Sequence, residues 1–224
     1  MKLTNCLLMG IVALGIGVAG ASADVIVNIA TGLDGSGNVQ TAGDAVDANW
    51  TYSDPAASPA TGSAEVVSSG NVDWYGGWLA NGPNSSWIAP NPDTTANGPA
   101  PYTFSETFDL TGYDLSTVSI VGGGFTIDDA GTLDLNGNIL DSLGNGNWGS
   151  LSLFTTAVSD FVQGINTLTI TMTSDDNYLE GVRVEGTVQG TLASTPEPAT
   201  WVLFGVGGVA ILTMARGRKV SSNA

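Results

Sequence analysis

The 224-residue chain has no histidine and a single cysteine, Cys6. The absence of histidine removes the commonest general base, zinc ligand and member of a nucleophile triad. Cys6 precedes an apolar run instead of following it, so no cysteine stands where a lipoprotein would carry its lipid. It also lies in a stretch expected to be cut away, which leaves the mature chain without a thiol, a disulfide or a thiolate ligand. Cations are almost as scarce, with five Lys and Arg against 21 Asp and Glu. Lys2, Arg216, Arg218 and Lys219 fall outside residues 24–197, while all 21 acids fall inside, so Arg183 alone opposes them and the segment's formal charge is −20. Such a surface repels phosphate, which excludes DNA and RNA as partners. No Gly-rich loop ends in Lys-Ser or Lys-Thr, and Gly122-Gly123-Gly124 opens no helix, so neither a P-loop nor a dinucleotide fingerprint is present. Paired carboxylates are the catalytic means left, and they would run a glycosidase. With no catalytic motif to place them, the chain reads as non-enzymatic.

What is present is clearest at the two ends. Met1-Lys2, the apolar stretch Leu7 to Gly20 and the small residues Ala21-Ser22-Ala23 read as a secretory signal peptide, residues 1–23, cleaved after Ala23 with Ala21 and Ala23 as the recognition pair. At the other end, Pro196-Glu197-Pro198 leads into the uncharged run Ala199 to Ala215 and then Arg216-Gly217-Arg218-Lys219. As a helix the 17 residues 199–215 would cover roughly 25 Å, the short end of a membrane span. A globular helix would show a polar face, and Trp201 to Leu212 shows none. Arg216, Arg218 and Lys219 are expected to hold residues 216–224 in the cytoplasm, since positive flanks resist translocation.

This succession of Pro-Glu-Pro, Gly-rich apolar segment and basic end resembles the PEP-CTERM sorting signals of Gram-negative bacteria, over about the last thirty residues. The resemblance implies that a membrane enzyme, exosortase, processes the tail near Pro196, Glu197 and Pro198. It also implies a transient inner-membrane anchor, then the cell surface, outer membrane or extracellular matrix, and an association with exopolysaccharide.

Between the ends, residues 24–188 have the length of one domain. Val25 to Ile29 is a β-branched opening strand, and from Tyr102 the alternation is clean. Tyr102, Phe104, Phe108 and Leu110 share a face with Glu106 as the exception, opposite Thr103, Ser105, Thr107 and Asp109. Asn136-Gly137, between Leu133-Asp134-Leu135 and Asn138-Ile139-Leu140, is the strongest hairpin signal in the chain. Leu168, Ile170 and Met172 are expected to face inward between threonines, and Val182, Val184 and Val188 inward opposite Arg183, Glu185 and Thr187. No stretch reads as a soluble helix. Many short strands with one buried face predict an all-β fold, an antiparallel β-sandwich of jelly-roll type, followed by a linker at 189–198 and one transmembrane helix at 199–215.

The run Phe125 to Asp129, Leu133 to Gly137, Phe161 to Leu168 and Gly181 to Glu185 resembles galactose-binding-like jelly rolls, over roughly residues 87–188. That likeness implies a carbohydrate-binding module or a plain scaffold. Trp74, Tyr75 and Trp78 are the rings that would stack on a sugar, although aromatics closing the end of a sandwich have the same signature. Asp128, Asp129, Asp175 and Asp176 are loop acids whose oxygens would suit calcium, but neither pair matches an EF-hand. The row Thr167, Thr169, Thr171, Thr173 would order water, yet one row on one strand is a narrow surface and threonine favours strands anyway. The expected protein is thus an exported, exosortase-sorted surface or matrix protein. A calcium-stabilised carbohydrate-binding or adhesion module is the alternative, and a carboxylate glycosidase comes third.

Overall fold

In the computed structural model of the chain, the described residues are 23–55, 60–68, 77–94, 101–173 and 180–194. Eleven strands cover them: β1 (Asp24–Asn28), β2 (Val46–Ser53), β3 (Thr61–Val66), β4 (Ile88–Ala89), β5 (Pro101–Asp109), β6 (Ser119–Asp128), β7 (Ala130–Leu135), β8 (Asn138–Leu143), β9 (Ser152–Leu153), β10 (Ile165–Thr173) and β11 (Gly181–Gly190). The only helical elements among the described residues are single 3-10 turns at Leu115–Thr117 and Val158–Asp160. Every pairing is antiparallel, in the order β8-β7-β10-β5-β2-β3-β4-β11-β6-β9, with β1 beside β11. The path doubles over, because inward residues from β5, β7 and β10 join those of β6 and β11 in one core.

That core is what the alternation predicts. Tyr102, Phe104, Leu133, Leu135, Leu168, Ile170, Met172, Val182, Val184 and Val188 are all fully buried. The β7–β8 hairpin turns at Asn136 and Gly137 with φ of 55° and 83°. Two successive positive values give the mirror-image turn whose twist suits paired strands, and Asn-Gly is the pair that tolerates it. Asn136 is tied down further, its Nδ2 donating to Asn166 Oδ1 at 2.8 Å and its Oδ1 accepting from Thr167 N at 3.0 Å. Gly131 serves a close approach instead: a Cβ there would stand 2.4 Å from the Thr171 carbonyl oxygen.

Two features depart from the alternation and a third from the expected boundary. Arg183, expected on the outer face, is 3% exposed, because the chain around residues 79–85 covers that side of β11. A bulge follows between Glu185 and Thr187. Ordered backbone also continues past the expected domain boundary at 188, since Asp114 N donates to Thr191 O at 2.9 Å and Ala193 N to Gly112 O at 2.8 Å. Part of the segment read as a linker is therefore bonded to the domain.

The outer face of β3, β2, β5, β10, β7 and β8 has a composition no single strand reveals. Register places Thr61, Ser53, Thr103, Thr171, Thr132 and Ser142 side by side, one from each of the six strands. Two residues along, Ser63, Thr51, Ser105 and Thr169 form a second crosswise row that ends on Asp134.

Candidate functional site

One buried polar network is built around the only cation among the described residues, Arg183. Arg183 Nε donates to Ser85 Oγ at 2.6 Å, Nη1 to the Ala80 carbonyl at 2.6 Å, and Nη2 to Glu185 Oε1 at 3.0 Å. Ser85 Oγ in turn donates to the same Glu185 oxygen at 2.8 Å. Burial pulls the Arg183 pKa down, and the hydrogen bond and charge of Glu185 oppose that pull. Gly82 passes directly over the guanidinium, leaving no room for a Cβ, which would stand 2.8 Å from Nη2. From this network Glu185, with Gly82 above the guanidinium, reaches the lining of a cleft of about 620 Å³ that also includes Asn28, Asn38, Thr41, Asn84 and Thr187. Glycines and the apolar Ala30, Val39, Pro83 and Val121 complete this lining, and its carboxylate is paired with Arg183.

Trp78, of the expected sugar platform, lies in the interior at 7% exposure. Its ring stacks on Trp87 with centroids 4.1 Å apart and planes 28° from parallel, and Nε1 donates to Asp128 Oδ2 at 2.6 Å. Gly181 makes that packing fit, since a Cβ there would stand 2.8 Å from the indole. Val67, Trp87 and Ala89 complete this second small core, with Trp148 against it. Trp78 therefore presents no open face to a sugar. Trp74 and Tyr75 lie outside the described residues.

Asp128 and Asp129, expected in a loop, sit at the end of β6 and the start of the next turn, 6% and 8% exposed. Asp128 accepts from the Trp78 indole, and Asp129 Oδ1 from Asn145 Nδ2 at 3.5 Å. No cluster of three or more His, Cys, Asp or Glu side chains with metal-ligand spacing occurs among the described residues. Asp175 and Asp176, the other half of the expected calcium ligands, lie outside them.

A buried acid pair escaped the sequence reading except as the odd residue of β5. Glu106 points into the core at 3% exposure, and its Oε2 has no hydrogen-bond partner. Burial, with the charge of Asp47 adding to it, pushes its pKa up to about 9. Asp47, itself buried, accepts backbone N–H bonds from Gly32, Asn49 and Trp50. Burial raises its pKa against those donors. Glu106 is therefore a neutral acid at pH 7, and Asp47, whose charge adds to that shift, holds Gly32 and the irregular first half of β2 through its oxygens.

Residues 1–22 with Ala21, the motif Pro196, Glu197 and Pro198, the apolar run, and Arg216, Arg218 and Lys219 all lie outside the described residues, while Ala23 is exposed just before β1. No helix among the described residues is long and apolar enough to cross a membrane. Comparison with known families identifies this end of the chain independently. Residues 194–219 match the PEP-CTERM protein-sorting motif, with the Pro-Glu-Pro, the apolar run and the first basic residues all inside the match. No curated protein and no solved structure matches the chain. The tail thus carries a sorting signal of the type that exosortase reads, and the all-β domain is its cargo.

Proposed function

We propose that the protein is a non-enzymatic, exosortase-sorted component of the cell surface or extracellular matrix, associated with exopolysaccharide. The observation that carries this reading is the sorting motif at residues 194–219. The chain is exported, its tail lodges in the inner membrane with Arg216, Arg218 and Lys219 on the cytoplasmic side, and exosortase trims it near Pro196-Glu197-Pro198. Two prolines keep that stretch extended and unable to donate from their own nitrogens, a form a processing enzyme can thread. The −20 charge of residues 24–197 supports a secreted, well-solvated cargo. We read the domain as a galactose-binding-like jelly roll; the seating of β10 between β5 and β7, far apart in sequence, supports it.

The test replaces Pro196, Glu197 and Pro198 with alanine and follows intact mass and membrane fraction in hosts with and without exosortase. The parent is expected to be trimmed and released only where the enzyme is present. The alanine variant should lose its signal peptide yet keep its tail and stay in the membrane. Equal trimming of both forms would overturn the sorting reading.

A further inference from the structure

The threonine row of β10 is not alone. Thr171 lies between Thr103 and Thr132, and Thr169 between Ser105 and Asp134, while Thr173 lies between Pro101 and Ala130; in the row through Thr171, each of β3, β2, β5, β10, β7 and β8 contributes a Ser or Thr. Neighbouring hydroxyls in a row stand about 4.8 Å apart, and the two rows about 6.8 Å apart. The six-residue row spans roughly 24 Å. These side chains are half-buried to exposed. Among them the protein satisfies only Thr51, whose Oγ1 donates to the Ser105 carbonyl at 3.3 Å. Each remaining hydroxyl offers one donor and two acceptor positions to whatever lies on the face. Around Thr51, Ser53, Thr61, Ser63, Thr103 and Ser105 the face dips into a concavity of about 510 Å³.

We propose that this hydroxyl face is where the protein holds its glycan, and that the glycan is a neutral polysaccharide chain lying across the strands. The proposal rests on the exopolysaccharide association above and names its site and ligand class. Charge selects the ligand. Neither row carries a cation, and the one cation among the described residues, Arg183, is buried and engaged, so nothing on the face pairs with a uronate or a sulfate. The −20 charge of residues 24–197 repels such anionic polymers outright. A neutral polyol has both donors and acceptors to exchange with a row that has both. The sheet's twist decides against ordered ice. Neighbouring strands rotate by about 20–25°, so a flat crystal plane would match only a strand or two, whereas a flexible chain follows the turn. A second copy of this domain is disfavoured by charge, two faces of −20 bodies having no apolar centre to hold them together. Without a stacking ring, each sugar contributes little, and retention depends on a length of chain engaging many hydroxyls together.

Affinity electrophoresis of the full chain in mild detergent tests this, in gels containing dextran, galactomannan, alginate or the host's own exopolysaccharide. The parent is expected to be retarded by neutral polymer and not by alginate. The variant Ser53→Ala/Thr103→Val/Thr171→Val breaks the long row with residues that suit an exposed strand, so its melting temperature should match the parent's while its apparent affinity falls at least tenfold. Thr103→Ser/Thr171→Ser keeps the hydroxyls and should keep retardation. If the valine variant is retarded like the parent, the face is not the site, although the glycan association stands. If no polymer retards the parent, the association itself fails. Retardation by alginate, parent dimers that dissociate in the valine variant, or ice crystals shaped by the parent would each overturn the assignment to a neutral glycan.

Discussion

Arg183 and Glu185, neighbours on one face of β11, form a 3.0 Å ion pair in which the side chains are only 3% and 18% exposed. On an open sheet face such a pair would contribute little. Here the guanidinium also binds Ser85 and the Ala80 carbonyl, so it fastens the 79–85 segment onto the sandwich and shapes the polar cleft beside it. Removing it leaves those acceptors without their donor. Arg183→Ala is expected to lower unfolding stability by roughly 3–5 kcal/mol. Arg183→Lys should recover less than half of that, because one ammonium cannot reproduce a fork aimed in three directions. Denaturant midpoints measure both. A lysine variant as stable as the parent would mean the fork geometry is immaterial.

Trp78 provides the second prediction. Its ring fills the small core against Trp87, and its Nε1 holds Asp128. Trp78→Ala should cost roughly 3–5 kcal/mol by opening a cavity. Trp78→Phe keeps most of the packing but drops the hydrogen bond to the carboxylate, and should cost about 1–3 kcal/mol. Thermal unfolding of the two variants gives the order directly. A Trp78→Ala protein that melts with the parent would place the ring on the surface after all.

The third concerns pH. The folded-state pKa of Glu106, about 9, lies above its ordinary value of 4.5. Below pH 4.5 folded and unfolded chains both hold the proton. Between 4.5 and about 9 only the folded chain does, so this group's contribution to stability falls as pH rises, by about 1.4 kcal/mol per unit, and is lost once the pH has passed the folded pKa. Glu106→Gln has no proton to lose. The variant should therefore resemble the parent near pH 4.5 and gain on it steadily toward pH 9, as read from urea midpoints across that range. A stability difference independent of pH would show that Glu106 does not titrate in the core.

The positions legible from sequence are those where local chemistry alone decides the outcome. Asn136-Gly137 turns because that pair tolerates successive positive φ, and the sequence neighbours on either side then have to pair. Tyr102, Phe104, Phe108 and Leu110 go inward because a pleat with period two leaves them no other common face. The sorting tail is legible for the same reason, its order of proline, apolar run and basic cluster being written along the chain. Alternation also put Glu106 on the inward face as an exception, but not how a carboxyl survives there; that depends on burial and on Asp47, 59 residues away in sequence. Arg183 looked exposed because β11 alternates correctly, and only the covering segment at 79–85 makes its face interior. Trp78 read equally as a sugar platform or as a ring closing the sandwich, because an aromatic cluster looks the same whether it faces water or Trp87. The hydroxyl lattice is the plainest case. Each strand shows only its own threonines, which β-propensity explains, and their alignment across six strands is a property of register, in which the hairpins β2–β3 and β7–β8 are joined through β5 and β10 by pairings between strands that are not neighbours in the chain.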